Sequence, residues 1–227
     1  MRFLSVVVAL VMLVSVGAMA HESSAVELSG GVYFGNQNVE AGPIEVESNA
    51  LGFYISADAT IPAFPVTLSA SFATFSPDRV TINGVKFSHD GAEHTINAFD
   101  LLAGYRVQDN LAVGAGWASY KVSDDSGKLS GGGFALGAFG ELPLSEGIQV
   151  SGKLFYVPSA ELEGEAYGES GDADASMFGY SIRAEYEINQ NLGVEAGYRS
   201  LQITSKEEGS DGEISTGGLF LGVTYAF

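Results

Sequence analysis

The side chains best placed to do chemistry in this sequence are charges set into runs of apolar alternation. Glu185 and Glu195 flank the short segment Asn189–Asn191. If residue 188 pairs with residue 192 across that turn, the two carboxylates face one another on neighbouring strands. Like charges so placed repel unless a proton or a cation sits between them. Arg183 and Arg199 stand diagonal to the pair, and Lys153 comes from the neighbouring apolar segment. The same alternation adds Glu27, Asp58, Asp100, Glu141 and Glu187 to the acids and Arg106 to the bases, seven acids against four bases. Two chemistries follow. One is a salt-bridged network that fills an interior, since buried charges persist when they are paired. The other is a narrow, mildly cation-preferring, porin-like passage for small solutes or ions lined by the same residues.

Catalysis has less to work with. The histidines are His21, His89 and His94, and no serine, histidine and carboxylate fall together on inward strand positions at one level. The expectation is a protein that is not an enzyme and carries no cofactor, with an outer-membrane enzyme as the second alternative. His89 and His94 with Asp90 and Glu93 have a five-residue spacing in a Gly-containing stretch, a weak metal signal. Glu161, Glu163, Glu165, Glu169, Asp172 and Asp174 crowd one polar stretch, and Glu207, Glu208, Asp211 and Glu213 another. Carboxylates of this kind hold Ca²⁺ or Mg²⁺, here beside lipopolysaccharide phosphates, which makes Glu161, Glu163, Glu165, Asp172 and Asp174 weak metal candidates. No segment has the spacing of a dedicated calcium loop, and a solvated, self-repelling surface is the plainer reading.

The elements that must position these charges are short strands. Period-two alternation runs near 26–36, 49–61, 66–76, 95–107, 111–122, 130–142, 148–158, 176–188, 192–203 and 215–227. Pro62–Pro65, Gln108–Asn110, Pro143–Gly147 and Asn189–Asn191 separate them as short turns; 37–48, 77–94, 123–129, 159–175 and 204–214 are long, polar connections. Short turns at one end and long loops at the other are the pattern of an antiparallel, up-and-down transmembrane β-barrel of about ten strands. Eight strands remain open if 49–61 and 66–76 are irregular. The hairpin over 98–117 repeats in 179–198, matching at Ala103/Ala184, Tyr105/Tyr186, Asn110/Asn191 and Gly116/Gly197 among others, which supports the strand count.

Composition agrees with an exported barrel. Arg2, the apolar run Phe3–Val16 and Ala18-Met19-Ala20 form a secretory signal peptide, residues 1–20, ahead of a barrel over 21–227. An uncleaved anchor is the weaker reading, because no flanking stop-transfer charges follow. Loss of Arg2 moves the formal charge from −18 to −19, which argues against nucleic acid as a partner. There is no cysteine, hence no disulfide framework, and no later apolar run long enough for a membrane helix.

With the apolar parity turned to lipid, Phe34, Trp117, Phe134, Tyr156, Phe178 and Tyr180 form one aromatic girdle and Tyr105, Tyr186, Tyr225 and Phe227 the other. Backbone groups in lipid must be satisfied, so the sheet closes on itself. In the last strand Leu219, Leu221, Val223, Tyr225 and Phe227 face lipid, and this stretch resembles the C-terminal assembly signal of bacterial outer-membrane proteins. The expected partners are outer-membrane lipid and lipopolysaccharide, with periplasmic chaperones and the barrel-assembly machinery during biogenesis.

At "LFYVPSAEL" (154–162), "GVEAGYRSLQI" (193–203) and "LGVTYAF" (221–227) the sequence resembles the YfaZ family of Gram-negative outer-membrane proteins. The run from Glu195 to Arg199, an acidic stretch after it and the closing strand carry the likeness. The resemblance implies an exported outer-membrane barrel and no established activity, and the stretches 77–94 and 159–175 are longer here than in that family.

Overall fold

The structure, a computed structural model, describes residues 25–61, 64–77, 79–88, 94–123, 127–166, 169–205 and 212–227. The expected signal peptide over 1–20, and with it His21 and His89, lies outside the described residues. Twelve strands follow in chain order: β1 (Ala25–Ala41), β2 (Ile44–Ile61), β3 (Val66–Phe75), β4 (Arg79–Ile82), β5 (Val85–Ser88), β6 (Thr95–Gln108), β7 (Leu111–Ser123), β8 (Gly127–Ser145), β9 (Ile148–Ala166), β10 (Glu169–Glu187), β11 (Leu192–Ser205) and β12 (Gly212–Ala226). Each strand of the wall pairs antiparallel with its neighbour, and β1 pairs with both β2 and β12. The wall is therefore a closed barrel of ten strands, with β4 and β5 outside it. Closure leaves no backbone edge facing lipid, the condition any spanning sheet must meet.

The outward face is an apolar belt. Leu51, Phe53, Val113, Leu136, Leu154, Ile182, Val194 and Leu221 are exposed there, and all ten aromatics assigned to the two girdles are exposed as well. Leu219, Leu221, Val223, Tyr225 and Phe227 project from β12 into the same belt, and the Phe227 amide donates to the Val26 carbonyl at 3.0 Å.

Most strands run further than the alternation predicts, chiefly at the long-loop end, although β8 also continues through Ser145 into the turn expected at Pro143–Gly147. The connections expected at 37–48 and 159–175 are mostly strand, so the acidic stretch is a ribbon rather than a loop. Glu161, Glu163 and Glu165 share one exposed parity while Leu162 is buried on the other, and the register shift between the 157/177 and 160/175 pairs breaks the phase of the alternation there. From Tyr156 to the end of β9 at Ala166 the chain reaches roughly 30 Å past the girdle. Glu163 faces Asp172 and Glu161 faces Asp174 across the ribbon, all four exposed. Lys128 on β8 meets Glu165 at 2.6 Å, and its hydrogen bond and charge hold that carboxyl below its ordinary range. Among the described residues no three carboxylate, histidine or cysteine groups converge on a metal-sized site.

The stretch 77–94 also departs from expectation, because it holds the β4–β5 hairpin. Its turn is Asn83-Gly84, with φ of 48° and 80°, a left-handed pair that Asn-Gly adopts readily. The Asn83 side-chain oxygen accepts from the Glu45 amide at 2.9 Å and the Asn83 amide donates to the Glu45 carbonyl at 2.9 Å. These bonds fasten the hairpin to β2.

Candidate functional site in the barrel lumen

Inward side chains divide the lumen into two halves. Toward the long-loop end Ile96, Tyr120, Val157, Met177, Leu201 and Ile203 are fully or almost fully buried. They come from β6, β7, β9, β10 and β11 and meet at the barrel centre, so this half is a plug of apolar side chains. Large rings settle on glycines of nearby strands. A Cβ at Gly35 would stand 2.6 Å from the Phe75 ring, and Gly179 and Gly197 give way in the same manner to Phe155 and Phe220. The polar contact at the top of the plug is Gln37, which donates to the Tyr120 hydroxyl across the lumen.

The half toward the short turns is charged and hollow. Asp100, 1% exposed, accepts from Ser71 Oγ at 2.5 Å, from Lys153, and from Arg199 Nη2 at 3.2 Å. Lys153 also donates to Ser71 at 3.1 Å and Ser69 at 3.4 Å. This group carries two cations on one carboxylate. The second group centres on Arg183, which lies 3.0 Å from Glu27, 3.5 Å from Asp58 and 3.2 Å from Glu195 and donates to Ser151 at 2.8 Å and Ser29 at 3.2 Å. Glu195, 3% exposed, also accepts from the Tyr54 hydroxyl. Glu185 accepts from Thr224 at 2.6 Å and faces Glu195 in the strand register, as the pairing of 188 with 192 requires. One guanidinium thus stands among four carboxylates. Buried charges so arranged hold one another in place, and removing a member leaves the rest uncompensated.

A cavity of about 240 Å³ runs between the two groups. Its walls include Asp58, Lys153, Arg183, Phe139, Phe155 and Phe220, and it reaches the short-turn rim at Asp109 and Asn110. Short turns face the periplasm in barrels of this kind, so this is a periplasmic vestibule closed above by the plug.

Of the residues expected to form the charge network, Asp58, Asp100, Lys153, Arg183, Glu185, Glu195 and Arg199 come together inside the barrel, and Glu27 joins them. Arg106 and Glu141 line the vestibule mouth and stand apart from both groups: Arg106 donates to the Phe64 carbonyl at 3.3 Å and Glu141 accepts from Gln149 at 2.9 Å. Glu187, also expected inside, is exposed at the rim. The parity is right for all three, but they lie near the strand ends, where Glu141 and Glu187 are exposed and Arg106 is half-buried at the mouth. The apolar plug is absent from the sequence expectation of a polar interior. Its signal lies in the inward parity read toward the long-loop ends, where Ile96, Val157, Leu201 and Ile203 replace the charges found lower down.

A closed ten-stranded wall, an apolar belt outside and buried salt bridges within define a transmembrane β-barrel of the bacterial outer membrane. The chain belongs to the family described as outer membrane protein beta-barrel domain, which matches residues 6–227, and the protein resides in the Gram-negative outer membrane. Among solved structures it is similar to the outer membrane protease OmpT from Escherichia coli, with a TM-score of 0.61 and 12% identity over 90% of this chain and 96% of that one. Neisserial surface protein A is similar at a TM-score of 0.46 and 11% identity, over 91% of this chain and 100% of the other. At these identities the likeness is one of fold alone. Comparison with curated proteins finds no match.

Proposed function

We propose that this protein is a non-enzymatic outer-membrane barrel whose plugged lumen is a scaffold and whose role is structural or surface-interacting, close in kind to the YfaZ family. The observation that carries the reading is the plug: Ile96, Tyr120, Val157, Met177, Leu201 and Ile203 occupy the outer half of the lumen with almost no exposure. Apolar interiors pack to crystal-like density and leave no water path. What projects beyond the lipid is the acidic β8–β9–β10 ribbon and the β4–β5 hairpin, which makes these the surfaces available to a partner. Lipid, lipopolysaccharide and, during biogenesis, the assembly machinery and periplasmic chaperones are the other partners of this reading.

The test is conductance of the refolded chain, residues 21–227, in a planar bilayer. The expected result is silence across voltage and pH, with stable current steps appearing in the Met177→Ala/Ile203→Ala variant. A parent barrel that conducts, with an ion preference altered by Glu185→Gln, overturns the scaffold reading. It establishes instead the narrow, mildly cation-preferring channel, which the acid excess around Arg183 favours.

A further inference from the structure

We infer that the periplasmic vestibule is a binding site for a small zwitterion with an apolar body, its ammonium held by Glu27 and Asp58 and its carboxylate by Arg199. The inference goes beyond the scaffold reading and needs only the vestibule's opening at the short-turn rim, whether or not the barrel conducts.

Three observations carry it. The first is shape. A cavity of about 240 Å³ is at the small end of ligand pockets, so its occupant is of amino-acid size. The second is charge separation. At one end Lys153 and Arg199 share the single carboxylate of Asp100, for a formal charge of +1. At the other, Arg183 faces Glu27, Asp58, Glu185 and Glu195, for a formal charge of −3. Phe139, Phe155 and Phe220 are among the walls of the same cavity. A molecule with an ammonium at one end, a carboxylate at the other and an apolar body matches that set of surfaces.

The third observation is which charges face the space. Glu27 and Asp58 line the cavity at its acidic end and Arg199 at the other, whereas Glu185 and Glu195 are not among its walls and Glu195 is held by Arg183 at 3.2 Å. An ammonium brings three N–H donors and bonds oxygens at ordinary hydrogen-bond distances of about 2.8 Å without requiring them to converge. At the other end Arg199 lines the cavity and uses a fork of donors suited to a carboxylate.

The test uses three probes that share one ring: 4-(aminomethyl)phenylacetate, which carries an ammonium at one end and a carboxylate at the other, 4-methylbenzylamine, which lacks the carboxylate, and 4-methylphenylacetate, which lacks the ammonium. Each is titrated into residues 21–227 refolded in detergent micelles, with binding read by calorimetry and by saturation-transfer NMR. The zwitterion should bind at least about tenfold tighter than either analogue, the size of one charge-assisted hydrogen bond. Asp58→Asn should weaken the zwitterion and the amine alike by about tenfold. Arg199→Gln should weaken the zwitterion and leave the amine unchanged, and Arg199→Lys should retain the parent's order. A heat-modifiable gel shift establishes that each variant is folded; if Arg199→Gln is not, the ranking of the three probes on the parent barrel still decides. Absence of binding by all three, or either singly charged probe binding as tightly as the zwitterion, overturns the inference.

Discussion

Asparagine at position 100 preserves the shape of Asp100 while removing its charge, and the consequences follow from the two cations that depend on it. Lys153 and Arg199 both end on this carboxylate, and their side chains are only 11% and 12% exposed. In Asp100→Asn two largely buried cations are left without the carboxylate that pairs them. Removing one partner of a buried ion pair costs about 3–5 kcal/mol, and that is the loss expected here. Lys153→Met should cost less, about 1–2 kcal/mol, because Asp100 keeps Arg199 at 3.2 Å and Ser71 at 2.5 Å. The double variant Asp100→Asn/Lys153→Met keeps the group at +1, as in the parent, and should therefore be more stable than Asp100→Asn alone. The chain has one tryptophan, Trp117, half exposed on the lipid face, which gives a native fluorescence signal for leaving the bilayer. Denaturant unfolding from lipid vesicles, followed at Trp117, measures all three variants. Asp100→Asn within about 1 kcal/mol of the parent, or a double variant less stable than Asp100→Asn, refutes the argument that charge balance holds this half of the lumen together.

Two further outcomes are expected. Gly35→Ala places a Cβ 2.6 Å from the Phe75 ring and should cost about 1–3 kcal/mol by overpacking, and Phe75→Leu should cost less in that background than in the parent, measured by the same unfolding assay. Glu165 is held below its ordinary range by Lys128, so its folded value lies under its unfolded one. Its small stabilising contribution is therefore present above the ordinary carboxylate range and is lost as pH falls through the folded value. In an NMR titration Lys128→Met should move Glu165 back up while leaving the unfolding midpoint where it was, since both groups are half exposed.

The lipid-facing half of every wall strand was legible in the sequence, because lipid and lumen impose opposite preferences on alternate residues. Leu192, Val194, Tyr186 and Ile182 point outward, and Glu195, Arg183 and Glu185 inward, as the alternation requires. Strand length was not legible. Glu161, Glu163 and Glu165 alternate with the buried Leu162 and with Gly164, but the register shift between Val157 and Ala160 puts that alternation out of phase with the lower strand, so it does not read as a continuation of it. The β4–β5 hairpin did carry a local signal, Asn83-Gly84 between Val80-Thr81-Ile82 and Val85-Lys86-Phe87, but four-residue strands leave little alternation around it. Which charges join was only half legible. Register brings Glu185 to Glu195 and Glu27 to Asp58, both neighbours along the sheet. Asp100 meeting Lys153 and Arg199 depends on the stagger of the closed wall, which joins residues 53 and 99 positions apart.

The division of the lumen is a consequence of closing a sheet around a narrow space that water reaches from one side. An inward residue has either packing or hydration to stabilise it, and charged groups need hydration or partners. Near the short turns the vestibule supplies water, so Glu27, Asp58 and Arg183 retain some exposure while the carboxylates outnumber the bases. Higher up, among the described residues, the plug shuts water out, and side chains there are apolar or, like Gln37 and Tyr120, bonded to one another. The same logic accounts for the position of the sheet's free edge. The order of strands ends on β5, which hangs from the long-loop end of β2, where water satisfies an unpaired backbone. A hairpin with an open edge is tolerable there and nowhere within the belt, so variation in length and sequence at β4–β5 leaves the spanning wall intact.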